Sequence, residues 1–179
     1  FLAFLERIRA QIDERLHALL TAEIADMERY GADVKAMLGT GKDLALRGGK
    51  RFRAALCTAA YQGVLPEADI EPALSAGLAL ELLQAYLLIQ DDWMDGDLER
   101  RGGPSAHAAL MTLFGNEHRG ASSAILAGDY LWGLAVHSLA SANVAPDRAV
   151  KAVQLFCKVH NDVVVGQQLD MLGRASDVE

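Results

Sequence analysis

The chain is predicted to be all-α, and three observations point there. Apolar residues recur at helical spacing in the long stretches, and no run alternates apolar with polar as a half-buried strand does. The composition is 51% hydrophobic with only four prolines and 6% aromatics, which suits packed helices. A length of 179 residues bounds the answer at one domain, residues 1–179, with ample core.

Taken in order, residues 1–30 place Leu2, Leu5, Ile8, Ile12, Leu16, Leu19 and Leu20 at helical spacing, with Glu6, Arg7, Arg9, Asp13, Glu14 and Arg15 between them. That is an amphipathic packing helix and not a signal peptide. The first residue is Phe and not Met, so the presence of a targeting segment ahead of it stays open. In GTGKDLALRGGKRFR, residues 39–53, Gly48 and Gly49 interrupt the chain before Lys50, Arg51 and Arg53, and FRAALCTAAY then reads as a helix. A basic cluster at a helix entry conflicts with the positive end of the dipole, and an anion such as phosphate would resolve the conflict. The segment is no P-loop, because Lys50 is followed by Arg and no strand precedes the glycines.

Pro66 marks a break, and residues 73–89 follow as an apolar run whose one charge is Glu81. Its length raises the transmembrane question. Glu81, Gln84 and Gln90, with aspartates just after, favour a buried helix of a soluble core and no transmembrane segment. Beyond His107 the pattern predicts a helical piece over 108–114, a polar loop GNEHRG over 115–120, and a helix over 122–141 with Gly128 and Asp129 in its middle. A turn at Pro146 precedes a long helix over 149–172, on which Gln167 and Asp170 share one side. No strand and no repeat are expected. The net charge of −7 argues against a nucleic-acid partner. Cys57 and Cys157 fit no metal or disulfide framework and read as buried thiols in a reducing, cytoplasmic setting.

The densest chemistry lies in LLIQDDWMDGDLERRGGPSAH, residues 87–107. At about 3.6 residues per turn, Asp91 and Asp95 fall on one helix face with Asp92 beside them. Carboxylates at a helix C-terminus face the negative end of the dipole and repel one another, so something positive should offset them. Hard oxygen ligands one turn apart suit Mg²⁺, which takes one or two protein carboxylates and completes its shell with water and phosphate. Arg100 and Arg101 follow among turn residues, and their forked guanidiniums match phosphate oxygens.

Five stretches together resemble the trans-isoprenyl diphosphate synthases, the polyprenyl synthetase family that includes farnesyl and geranylgeranyl diphosphate synthases. GGKRFR is similar to the family's GGKR-x-R segment, ELLQAYLLIQDDWMD to its first aspartate-rich helix and LERRGGPSAH to its arginine loop; AGDYLW and VVGQQLDM resemble its Gly-Asp and Gly-Gln elements. The likeness runs over about residues 40–172, in family order.

The resemblance implies an isoprenoid synthase-type bundle of long helices around a central cavity, a homodimer, and Mg²⁺-assisted condensation of an allylic diphosphate with isopentenyl diphosphate. By position, Asp91 and Asp95 would hold the metal on the allylic diphosphate with Asp92 supporting, and Arg100 would contact that diphosphate. Lys50, Arg53, Arg101 and Gln84 would bind isopentenyl diphosphate, and Gln167, with Asp170 less directly, would line the allylic side. A bulky residue five places before the first aspartate often forms the pocket floor in the family. Tyr86 stands there and Leu87 lies one turn beneath Asp91, which leans toward a product of fifteen to twenty carbons.

Family members run to about twice this length, with a second aspartate-rich helix and a Lys-Thr pair that this sequence does not contain, so residues 1–179 are expected to be the N-terminal part of a longer domain. The family's Pro after GGKR-x-R is Ala54 here, and the residue before the aspartate pair, often His, is Gln90. Two other readings stay open. A class I terpene cyclase would share the aspartates but has no need of Lys50, Arg53 and Arg101, and a non-catalytic subunit or fragment would bind a full-length partner.

Overall fold

The computed structural model describes residues 1–173. Seven α-helices follow one another: α1 Leu2–Met27, α2 Ala32–Leu46, α3 Phe52–Val64, α4 Glu71–Asp95, α5 Ala106–Phe114, α6 Glu117–Ala140 and α7 Pro146–Met171. A 3₁₀ turn, Glu28–Tyr30, closes α1, and a two-stranded hairpin, β1 Glu99–Arg100 and β2 Gly103–Pro104, lies between α4 and α5. The hairpin departs from the expectation of no strand, because ladders of two residues are too short to show alternation in sequence.

α1 buries Ile8, Ile12, Leu16 and Leu20, one stripe at i, i+4 spacing, and packs on α2, α3 and α4. Sequence pattern alone assigns no element to residues 32–46, and the structure makes them α2, running through Gly39 and Gly41. Gly41 faces Ala127 and Leu131 of α6 at van der Waals distance, so one of the two glycines is where α2 meets α6.

α4 is the centre of the bundle, packed along α6 and α3 and touching α1, α2 and α5. Gly77 lets α3 approach closely, since a Cβ there would lie 2.9 Å from the Ala54 Cβ. Among the described residues α4 is the one helix long and apolar enough to cross a membrane, and half of its most apolar window is buried against its neighbours. Its end is defined by Gly96 in the left-handed region (φ 74°), with the Asp97 N–H donating to the Asp92 carbonyl at 2.8 Å.

α6 begins earlier than the polar loop 115–120 suggested. Gly115 (φ 59°) ends α5, and the Asn116 side chain accepts from the Arg119 N–H at 2.8 Å, capping a helix that starts at Glu117. α5 and α6 cross so closely that a Cβ on Gly120 would sit 2.3 Å from the Met111 backbone nitrogen. α7 packs on α6 and stands off α4. Cys57 and Cys157 are half-buried free thiols and not fully buried ones, and burial pushes the Cys57 thiol up.

Candidate active site

The apolar body of α4 carries its three aspartates to its C-terminal end, beside the hairpin. Asp92 is fully buried, Asp91 is half-buried and Asp95 is exposed. The hairpin folds Arg100 back over this end. Its Nε donates to Asp92 Oδ1 at 2.5 Å, and its Nη2 reaches Asp91 Oδ2 and Asp97 Oδ2, both at 3.4 Å. Burial pushes the Asp92 carboxyl up while Arg100 pulls it back, and the Asp92 carboxylate in turn holds Arg100 above its ordinary value. Asp92 Oδ2 is buried and has no hydrogen-bond partner among the described residues. Arg100 thus supplies positive charge that the crowded carboxylates require.

No group of three or more His, Cys, Asp or Glu side chains among the described residues could enclose a metal by itself. Asp91 and the exposed Asp95, one turn on, fit a cation that keeps open positions for water and phosphate, as Mg²⁺ does, and do not fit an all-protein cage.

Further basic residues lie near the hairpin tip, where the Arg51, Arg53 and Arg100 charges act on Arg101. Its tip is Arg101 (φ 53°) and Gly102 (φ 75°), and a left-handed Arg costs roughly 1–2 kcal/mol, which the turn accepts because two positive φ values match the twist of the paired strands. Arg101 Nη1 donates to the carbonyls of Arg47 at 3.1 Å and Gly48 at 3.4 Å. Burial first, then the Arg51 charge, holds the Arg101 guanidinium below its ordinary value, with Arg100 and Arg53 adding to the effect against Glu81. Lys50 and Arg53 are exposed.

Arg51 is not free to meet an anion. It is 4% exposed, donates from Nε to Asp13 Oδ1 at 2.7 Å, from Nη1 to Glu81 Oε2 at 3.3 Å and from Nη2 to the Ala45 carbonyl at 2.9 Å. The one charge in the apolar run of α4 is therefore half of a buried ion pair, and its isolation among apolar residues was the sequence signal that it must have a partner. Arg47 escaped the sequence reading altogether. Its Nη1 donates to the carbonyls of Arg100 at 2.9 Å and Pro104 at 2.8 Å, bracing the hairpin, and a Cβ on Gly103 would lie 2.7 Å from that nitrogen.

Because α7 stands off α4, a groove of about 360 Å³ opens between them. Tyr86, Leu87, Gln90 and Asp91 line one wall, Val163 and Gln167 the other, and Gln84 also contributes. Gln167 Nε2 donates to Asp91 Oδ1 at 3.0 Å across the mouth. Lys50, Arg53, Arg100 and Arg101 lie outside the groove's lining, as do Asp92, Asp95 and Asp170. Tyr86 is at once a groove residue and a core aromatic, tilted against Trp132 at 6.0 Å with Gly128 beneath it, where a Cβ would come 3.2 Å from the ring. Burial and the Asp129 charge push its hydroxyl up, so it stays protonated.

A sequence model of the family described as polyprenyl synthetase matches residues 35–179. The chain belongs to the polyprenyl synthetase family. Among its relatives, a geranylgeranyl diphosphate synthase of Methanosarcina mazei is 32% identical over 164 residues, covering 92% of this chain and 43% of the relative. A short chain isoprenyl diphosphate synthase of Methanocaldococcus jannaschii is 34% identical over 146 residues, with 82% and 41% covered. Among solved structures, the geranylgeranyl pyrophosphate synthase of Corynebacterium glutamicum, complexed with isoprenyl diphosphate and magnesium, superposes with a TM-score of 0.82 at 28% identity, over 98% of this chain and 52% of that one. This polyprenyl synthetase chain thus spans about four tenths of the length of the two relatives, and it shares the all-α fold of the Corynebacterium structure. Its Ala54, where the family resemblance expects Pro, is fully buried against Gly77, and its Gln90, where His is frequent, lines the groove.

Proposed function

We propose that the protein acts as a prenyltransferase, condensing an allylic diphosphate with isopentenyl diphosphate to a trans-prenyl diphosphate of fifteen to twenty carbons. The observation that carries the reading is a carboxylate-bearing mouth over an apolar groove, beside a hairpin whose Arg100 meets the aspartates and whose Arg101 feels the charges of Arg51 and Arg53.

In this reading Asp91 and Asp95 hold Mg²⁺, which when bound neutralises diphosphate charge so that the allylic C–O bond can ionise. Arg100 turns from the aspartates to the allylic diphosphate, and Asp92 sets the angle from which it turns. Lys50, Arg53, Arg101 and Gln84 bind isopentenyl diphosphate, whose double bond forms the new C–C bond to the allylic carbon. Loss of one proton completes the product, and released diphosphate is the base, since no side chain among the described residues looks like a dedicated one. The apolar walls keep water from the allylic cation. Gln167, with Asp170 less directly, orients the allylic side, while Tyr86 and Leu87 close the pocket below. The same reading makes the protein a cytoplasmic homodimer, with residues 1–179 as the N-terminal part of its domain, no nucleic-acid partner and no transmembrane segment.

The test is incubation with Mg²⁺, an allylic diphosphate and labelled isopentenyl diphosphate, beside an intact mass of the purified protein. Label in a longer prenyl diphosphate is expected. Hydrocarbon from the allylic substrate alone would replace the reading by a terpene cyclase, and isopentenyl diphosphate binding without turnover would make the chain a non-catalytic subunit.

A further inference from the structure

Two polar rungs cross the groove between α4 and α7. The upper is Gln167 to Asp91, and the lower is His160 to Tyr86, whose hydroxyl lies 3.3 Å from His160 Nε2. Since Tyr86 precedes Asp91 and His160 precedes Gln167, the two helices run parallel here, and the lower rung sits about 7.5 Å below the upper along α4 and about 10.5 Å along α7. Between the rungs the walls are Leu87, Leu88, Val163 and Val164, with Gln90 next to the upper rung. The lower rung is thus the polar closure of an apolar slot.

His160 is built for that position. Its Nδ1 lies 3.2 Å from Asn161 Oδ1, so with Nδ1–H donating there, Nε2 accepts from the Tyr86 O–H. Its ring stacks on Trp132 at 4.1 Å and 25°, and Trp132 stacks in turn on Phe156 at 5.3 Å and 4°. Gly128 leaves room for the Tyr86 ring on the α6 side. The Tyr86 ring is therefore held from two sides by α6 and α7, and among the described residues its one side-chain hydrogen bond is with His160.

We propose that His160 is a specificity-positioning residue, which latches the Tyr86 ring across the bottom of the groove and so sets the longest prenyl chain the groove accepts. The proposal rests on the prenyltransferase reading for its ligand, and it places the length limit in a two-residue contact between helices and not in the bulk of Tyr86 alone. A ring that has lost its hydrogen bond keeps its volume but can swing from the slot, which opens a path toward Trp132.

The test uses His160→Phe, which keeps a ring on Trp132, and Tyr86→Phe, which keeps the ring and removes only the hydroxyl. Binding of prenyl alcohols of ten to twenty-five carbons, read by quenching of Trp132 fluorescence in a Trp93→Phe background, needs no turnover. Chain length of the products from full turnover is read in parallel. Each single variant is expected to move the alcohol cut-off up by one isoprene unit and to raise the share of products one unit longer roughly fivefold, the population change that one lost hydrogen bond supports. The double variant should move it no further, because both changes break one contact. An unchanged cut-off in either single variant, or additive shifts in the double, would overturn the latch. A shifted cut-off in a protein that turns over no diphosphate would uphold the latch and remove the prenyltransferase reading.

Discussion

Asp92 and Asp95 stand three residues apart at one helix end and answer to opposite physics. Asp95 is exposed and makes no ion pair among the described residues, so Asp95→Ala should leave the melting temperature unchanged while lowering turnover at least about 100-fold. Asp91→Ala should lower turnover likewise at a small cost in stability, since only Arg100 at 3.4 Å and Gln167 at 3.0 Å lose a partner. Asp92→Ala removes the buried anchor of Arg100 and should cost about 2 kcal/mol as well as activity. Product formation beside thermal melting checks all three, and turnover within a few fold of wild type in Asp95→Ala would end the metal assignment. Lys50, exposed on the basic side, is expected to act on one substrate: Lys50→Ala should raise KM for isopentenyl diphosphate about tenfold or more and leave the allylic KM nearly unchanged, measured by steady-state kinetics. His107, buried beside Ser105, is held below its ordinary value of 6.5 by burial, against the pull of Asp92 and Asp97. The folded protein prefers the neutral ring, so its contribution to stability is present above pH 6.5 and is lost as pH falls below it. His107→Gln should therefore lose less melting temperature than wild type between about pH 7 and pH 5, and equal losses would show that another group carries the effect. These charged residues were legible because each follows an apolar run or a glycine pair. The partner of Glu81 was not, because Arg51 lies 30 residues away and only the packed fold joins them.

Among elements, the long amphipathic and apolar stretches became helices where expected, and the misses share a physical cause. α2 hides behind Gly39 and Gly41, residues that weaken a helix in isolation by about 1 kcal/mol each; Gly41 stands where α6 approaches, while Gly39 meets nothing within 4 Å. The start of α6 hides because a cap, Asn116, looks in sequence like one more loop residue. Gly120 marks the tightest crossing, and Gly120→Ala sets helix propensity against a backbone overlap. The overlap wins, because the atoms met are the Met111 nitrogen and Cα, which cannot turn aside as a side chain would. A loss of roughly 1–3 kcal/mol is expected, equal to about 2–4 °C in Tm for each kcal/mol at this size. Gly133→Ala on the same helix meets nothing within 4 Å and should melt at or above wild type. If both variants melted alike, the close crossing of α5 and α6 would be wrong.

At the scale of the whole molecule, the groove was foreshadowed by the resemblance, which put Tyr86, Leu87 and Gln167 at a pocket, but its cause, α7 leaning on α6 and away from α4, is announced by no residue on any single helix. The lone charge of the apolar run, Glu81, is answered inside the core by Arg51. The answer ties the molecule together: Arg51 joins α1 through Asp13, the end of α2 through the Ala45 carbonyl and α4 through Glu81, directly beneath the loop that carries Lys50. Its own backbone is left-handed (φ 49°), and a Cβ on neighbouring Gly49 would lie 3.4 Å from both the Arg51 and Arg101 guanidiniums. Glu81→Leu should cost about 3–5 kcal/mol, since Arg51 stays buried with only the half-exposed Asp13 to meet its charge. Arg51→Met in the same chain should restore most of that stability, because a buried pair replaced by apolar groups of similar volume is often neutral. Function should not return with it. Without Arg51 the glycine loop loses the tether that fixes Lys50 relative to Arg101, so KM for isopentenyl diphosphate should remain raised about tenfold in the double variant. Urea denaturation and steady-state kinetics on the two variants separate these effects. Recovery of both stability and KM would reduce Arg51 to a packing residue, and recovery of neither would place its main role in the left-handed turn itself.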